Sequence, residues 1–150
     1  AKRTKVESAA MTPVMTPETL QDFLRREFPQ VADVLVVEAV GPMTARIRRR
    51  IAERDLRPGG TVSGPTIFEL ADAGFYLALL AMIGPQALAV TTNCAIDFMR
   101  KPAANTDLIA ECRILKLGRV LAVGDVLIYS DGVAEPVARA SLTYSIPPKR

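Results

Sequence analysis

The chain has 150 residues, 49% of them hydrophobic, which is enough for one ordinary domain with a substantial core and too apolar for a disordered segment. Its formal charge is only +3, so charge alone gives no reason to expect nucleic acid or an anionic membrane as partner. It has no histidine, which excludes imidazole acid–base catalysis and histidine metal ligation. Its two cysteines, Cys94 and Cys112, lie in apolar runs and read as reduced packing residues, so no metal is expected.

Residues 1–15, with Thr12-Pro13 and Thr16-Pro17 restricting the backbone, read as a flexible lead-in. Thr16 is a candidate N-cap with Pro17 at the first helical position. Leu20, Phe23, Leu24 and Phe28 then fall at helical spacing until Pro29 stops the pattern. A short strand is expected over residues 34–39, with Gly41-Pro42 as the break. A second strand follows, with Met43, Ala45, Ile47, Arg49 and Ile51 on one face, where Arg49 intrudes on an otherwise apolar row. The row of Arg46, Arg48, Arg49 and Arg50 suits an exposed strand or subunit rim, and too few aromatics lie nearby for base stacking. Residues 55–60 read as a loop.

Residues 65–83 form the longest helix candidate, ended by Gly84-Pro85. Apolar residues surround it on more than one side, which calls for a sheet wrapped around it, and Gly74 suits close packing against a strand. From residue 87 the period becomes extended. Val90, Thr92, Cys94, Ile96 and Phe98 are expected on one face of a strand, with Thr91, Asn93 and Asp97 on the other. Strands over 108–117, 120–129 and 137–146 follow, separated by tight turns at Lys116-Leu117-Gly118-Arg119 and Ser130-Asp131-Gly132. The order helix, two strands, long helix, four strands, with short connections, gives one α+β domain with an antiparallel sheet. Its edges need protection, which makes self-association physically reasonable.

Asp72, two turns into the long helix among Leu70, Ala71, Ala73, Gly74 and Phe75, is the leading catalytic candidate, suited to taking a proton from water. Taken alone it reads more simply as a helix-surface carboxylate or an interface acceptor. The backbone amide of Gly64, at the helix start, is placed to donate to a developing oxyanion. Ser63 and Thr66 are candidates for orienting water or ligand, although Ser63 reads equally well as the helix cap. Phe68, Phe75 and Tyr76 are candidates for shaping an acyl tunnel, each also plausible as a core or interface residue, and Thr91, Thr92 and Asn93 for approaching the acyl portion, although an accessible strand face is the simpler account of them. Arg100, Lys101 and Arg119 suit phosphate contacts and are expected to gather near a cleft mouth.

The Gly64–Asp72 spacing and the element order resemble the hotdog-fold thioesterases, especially the phenylacetate-degradation type of acyl-CoA thioesterase. The resemblance runs over most of residues 30–146. It includes Leu70-Ala71-Asp72-Ala73, the stretch Asn93-Cys94-Ala95-Ile96-Asp97-Phe98-Met99-Arg100-Lys101-Pro102, Asp107-Leu108-Ile109-Ala110-Glu111-Cys112, and Leu117-Gly118-Arg119. It implies a hotdog fold, a long central helix wrapped by a curved antiparallel sheet, with active sites formed between paired subunits. It also implies that Asp72 is the catalytic carboxylate, activating water or attacking directly, and that the Gly64 amide polarises the thioester carbonyl. Activated water is the working choice. The products are a carboxylic acid and CoA, which enters as part of the substrate with no further cofactor. Many relatives have histidine and paired glycines where this chain has Ser63-Gly64-Pro65.

The expected protein is thus a homo-oligomeric acyl-CoA thioesterase, a dimer or tetramer. It is expected to be cytoplasmic, since Ala1-Lys2-Arg3-Thr4-Lys5 lacks secretory signal organisation and no uninterrupted membrane-length apolar run exists. The alternatives are a noncatalytic acyl-CoA-binding protein and, less favoured, a hotdog dehydratase, whose usual catalytic histidine is missing.

Overall fold

The computed structural model describes residues 12–148. Helix α1 (Pro17–Glu27) starts at a capping box in which Thr16 Oγ1 accepts from the Thr19 amide at 3.1 Å and Thr19 Oγ1 accepts from the Thr16 amide at 2.8 Å. Pro29 does not end helical structure altogether. It occupies the first position of a second short helix, α2 (Pro29–Ala32), where its missing amide hydrogen costs nothing.

Strands β1 (Leu35–Gly41) and β2 (Thr44–Arg49) form a hairpin, so the chain reverses at Pro42-Met43, slightly later than expected. A 3-10 turn at Glu53–Asp55 leads to the long helix α3 (Gly64–Ile83), and then come β3 (Val90–Phe98), β4 (Leu108–Leu117), β5 (Leu121–Ser130) and β6 (Ala138–Ser145). All six strands form one antiparallel sheet in the order β1-β2-β4-β5-β6-β3. The expected hotdog architecture is therefore present, with β1 and β3 at the sheet edges.

The sheet wraps α3 because α3 is apolar nearly all round and has no other way to leave water. Leu70, Phe75, Leu77, Leu79 and Leu80 are fully buried. At roughly 1.5–3 kcal/mol per large side chain, this one element supplies much of the drive for folding. By length and composition α3 would suffice to cross a membrane, but most of its surface is packed inside the fold.

Two glycines let helix and sheet approach closely. A Cβ on Gly74 would stand 3.2 Å from Cys112 Sγ, as the sequence suggested. A Cβ on Gly124 of β5 would overlap the Arg113 carbonyl oxygen and the Phe75 ring. Cys112 is buried and Cys94 half-buried, and both are free thiols; burial pushes both above the ordinary thiol range.

The uncovered part of α3 is short. Pro65 and Phe68 are exposed, Glu69 and Asp72 half-buried, and together they make one stripe at helical spacing. Beyond Asp72 the helix is buried almost without interruption, with the ring of Phe23 of α1 tilted against Tyr76 at 6.2 Å. Part of the lead-in departs from the expected flexibility. The amides of Val14 and Met15 both donate to the Ala81 carbonyl, at 2.7 and 3.2 Å, and Met15 packs on the core. Residues 1–11 of that segment lie outside the described residues.

Candidate functional site

Asp72 is brought to the edge of a cleft by three elements. β3 and β6 pair antiparallel with Thr91 opposite Tyr144, Cys94 opposite Leu142 and Ile96 opposite Ala140. The register shifts between Thr91 and Asn93, so Thr92 is the extra residue of a β-bulge. This bulge corrects the sequence reading, which placed Thr91 opposite to Cys94 and Ile96. Strict alternation fails at Thr92, and Thr91 turns inward with them, beside Tyr144. The two hydroxyls therefore converge on α3. Thr91 Oγ1 donates to Asp72 Oδ1 at 2.5 Å, and the Tyr144 hydroxyl lies 2.8 Å from the same oxygen and 3.0 Å from the Asp72 carbonyl oxygen. Burial, reinforced by the Asp72 charge, holds the Tyr144 hydroxyl well above its usual range, so it remains a proton donor.

The cleft measures about 690 Å³ and is walled by Phe28 and Val31 from the α1–α2 region, Ala73 and Tyr76 from α3, and Ala87, Ala89 and Val90 ahead of and in β3. Tyr76 donates its hydroxyl to the Ala87 carbonyl at 3.0 Å, which leaves its ring facing the space. Asp72 and Glu69 supply the negative charge on α3. Glu69 pairs with Arg49 at 2.8 Å, whereas Asp72 has no cationic partner among the described residues. Asp72 is thus a half-buried carboxylate at a cleft of mixed polar and apolar lining, held by neutral hydroxyls, an arrangement suited to a general base.

Gly64 lies at the other end of the exposed stripe, about 12 Å along the helix at 1.5 Å per residue. It does not line the Asp72 cleft. Its surroundings are Phe98 of β3, whose ring would stand 3.6 Å from a Cβ at position 64, and Ser63, which caps the helix by accepting from the Thr66 amide at 3.4 Å. The Ser63 and Thr66 hydroxyls are 2.9 Å apart, and Thr66 is buried.

The loop before Gly64 is fixed by Arg49, the basic residue on β2's apolar face. Its guanidinium forks onto Asp55 at 3.0 and 3.1 Å and reaches Glu69 with Nε. The Asp55 carbonyl in turn accepts from the Ser63 amide at 2.8 Å, closing a loop that turns at Gly59 and Gly60, both at positive φ. Nothing in the sequence pattern assigned Arg49 a partner. The signal was only its place in the alternation. Arg46 and Arg48 are not a free basic patch either, since Glu38, Glu111, Asp107 and Asp131 pair with them.

Several proposed site residues stand elsewhere. Phe75 is fully buried, 5.6 Å from the Tyr144 ring, and belongs to the core rather than to an acyl tunnel. Thr92 donates to the Thr143 carbonyl at 3.3 Å on the exposed side, and neither it nor Asn93 lines the cleft. Phe68 is exposed on the helix stripe, outside the cleft. Tyr76 and Thr91 do line it.

Arg100, Lys101 and Arg119 do not gather within one chain. Arg100, just past β3, donates to the Pro136 carbonyl at 3.0 Å near the start of β6, with Lys101 beside it. Arg119 sits between β4 and β5, next to the residues that pair with the end of β6. The eight residues of β6 separate the two ends by about 24 Å. Gly64 shares the Arg100 end through Phe98, and Asp72 shares the Arg119 end through Thr91 and Tyr144. The sequence pattern missed Tyr144, Phe28 and Val31; Tyr144 was legible only as one more inward position of β6.

A family model described as the thioesterase superfamily matches residues 59–137. A candidate thioesterase from Silicibacter sp. TM1040 is 49% identical, with a TM-score of 0.87 over 93% of this chain and 96% of that one. The phenylacetic acid degradation protein PaaI from Thermus thermophilus is 26% identical, with a TM-score of 0.66 over 84% and 99%. A hypothetical thioesterase from Streptococcus pneumoniae TIGR4, whose structure holds coenzyme A, shares the fold at 18% identity and a TM-score of 0.73 over 87% and 98%. No curated protein sequence matches the chain.

Proposed function

Since the chain belongs to the thioesterase superfamily and is a thioester hydrolase, we propose that it cleaves an acyl-CoA by water attack, with Asp72 as general base and the Gly64 amide as oxyanion donor. The observation that carries this reading is Asp72 itself, a half-buried carboxylate at the cleft, held by the Thr91 and Tyr144 hydroxyls and without a cationic partner among the described residues. The acyl group lies against Phe28, Val31 and Tyr76. Asp72 takes a proton as the water oxygen bonds to the carbonyl carbon, and the carbonyl oxygen becomes an oxyanion. Collapse of that intermediate breaks the carbon–sulfur bond, and the CoA thiolate leaves, taking the proton from Asp72 and restoring its carboxylate.

One chain cannot aim both groups at one carbonyl, because its own Gly64 is too far along the helix. A second copy related by a two-fold axis resolves this. Antiparallel α3 helices crossing near residue 68, midway between 64 and 72, bring each Gly64 beside the other copy's Asp72. Phe68, exposed at that midpoint, and the β3 edge, with Val90 and Phe98 more than half exposed, are the apolar surfaces such a pair would cover. The same operation brings the Arg100–Lys101 end of one copy to the Arg119 end of the other. All three cations are then available to the nucleotide phosphates of one CoA. The CoA held by the Streptococcus pneumoniae relative supports this ligand class.

The test is free-thiol release from short, long and aromatic acyl-CoAs, comparing the wild type with Asp72→Asn. Loss of a general base lowers kcat by roughly 10²–10⁴-fold. A folded D72N variant with unchanged turnover refutes the assignment, and tight binding without turnover by the wild type indicates an acyl-CoA-binding protein instead.

A further inference from the structure

The geometry points to Tyr144 as a positioning residue that, with Thr91, reserves one particular oxygen of Asp72 for the water proton. The inference rests on Asp72 being the base, as proposed above. Tyr144 and Thr91 are direct cross-strand partners, so their hydroxyls arrive side by side, and both lie within hydrogen-bond reach of Oδ1, at 2.8 and 2.5 Å. Among the described residues none hydrogen-bonds Oδ2. A carboxylate gripped at one oxygen by two donors cannot rotate freely, so Oδ2 is the oxygen free to accept the water proton. The grip is rigid on both sides. Thr91 is fixed by the bulge at Thr92, and the Tyr144 ring is wedged 5.6 Å from Phe75 and 6.1 Å from Tyr76. The hydroxyl also lies 3.0 Å from the Asp72 carbonyl oxygen, which ties β6 to the helix at the residue that must not move. Burial keeps the phenol protonated and thus a donor throughout the working range.

Tyr144→Phe keeps the ring packing and removes only the hydroxyl. The expected result is a kcat about tenfold lower with KM changed less than about twofold, since alignment of the base is lost and the acyl wall is kept. Thr91→Val, which removes the other hydroxyl on Oδ1, should likewise lower kcat more than it changes KM. If Y144F melts lower but keeps the wild-type kcat, Tyr144 is a structural tether only and the inference is overturned. D72N serves as the control that separates the two readings. An inactive D72N beside an unaltered Y144F sinks only the positioning role, whereas an active D72N removes the base and this inference with it.

Discussion

Replacing Arg49 with methionine should expose how strongly the loop that presents Gly64 depends on one buried ion pair. The Arg49 and Asp55 side chains are only 5% and 6% exposed, and the guanidinium makes two bonds to the carboxylate. Methionine fills the aliphatic space but leaves Asp55 buried without its cation, a change that costs about 3–5 kcal/mol. The Glu69 bond adds little, because that side chain is 40% exposed and water replaces the partner. The Ala52 amide still donates to Asp55 at 2.8 Å, which favours the lower end of the range. For a chain of this length the loss corresponds to a melting temperature lower by roughly 6–20 °C.

Urea unfolding at neutral pH measures the effect, and the double variant R49M/D55L should recover much of it by removing the orphaned charge. Acid supplies a second readout. Burial works against ionisation of Asp55, but the Ala52 amide and Arg49 outweigh it and hold its carboxyl below the ordinary value of 3.8. The stability this provides is present above that value and disappears as pH falls through the lowered folded value. The R49M variant, already without the cation, should therefore lose less stability than the wild type on acidification through that window. A neutral-pH loss below about 1 kcal/mol, the range of an exposed pair, would refute the argument.

Two further outcomes follow from the same geometry. Gly124→Ala places a methyl group into the Arg113 carbonyl and the Phe75 ring, so it should destabilise the fold by about 1–3 kcal/mol or more, read by the same urea unfolding; a neutral effect would mean that β4 and β5 are not packed as described. Neutralising Arg119, or Arg100 with Lys101, should raise KM for an acyl-CoA several-fold and leave KM for an acyl-N-acetylcysteamine thioester unchanged. Equal effects on both would remove the phosphate role.

The fold was legible because its strongest signals are long-range in pattern and simple in chemistry. A helix apolar on every side must be wrapped, and alternating strands with short turns supply the wrapping. The site was less so. Asp72 and Tyr76 could be picked out by their positions on the helix, but the bulge at Thr92 leaves no mark that alternation can read, and it decides which way Thr91 points. Nothing in the sequence separates Tyr144 from the other positions of β6, and it is buried; only the β3–β6 register shows that its hydroxyl ends on Asp72. Arg49 was visible as an anomaly, but its partner Asp55 sits in a loop whose path no periodicity encodes. Phe75 stayed open between tunnel and core for the opposite reason, since a large apolar residue near Asp72 suits both equally until the side it faces is known, and it is buried.

The shared site can be tested by complementation between two disabled chains. D72N removes the base, and Gly64→Pro removes the amide hydrogen at a position where Ser63, at ψ 152°, already has the extended backbone that proline requires of its predecessor. Each variant alone should be inactive. Chains mixed by unfolding and refolding together should form hybrid pairs in which one of the two sites contains both an intact Asp72 and the other copy's intact Gly64, restoring about a quarter of wild-type turnover at equal amounts, as two-fold symmetry requires. If thiol release stays at background although hybrids have formed, Gly64 and Asp72 do not act across the pair.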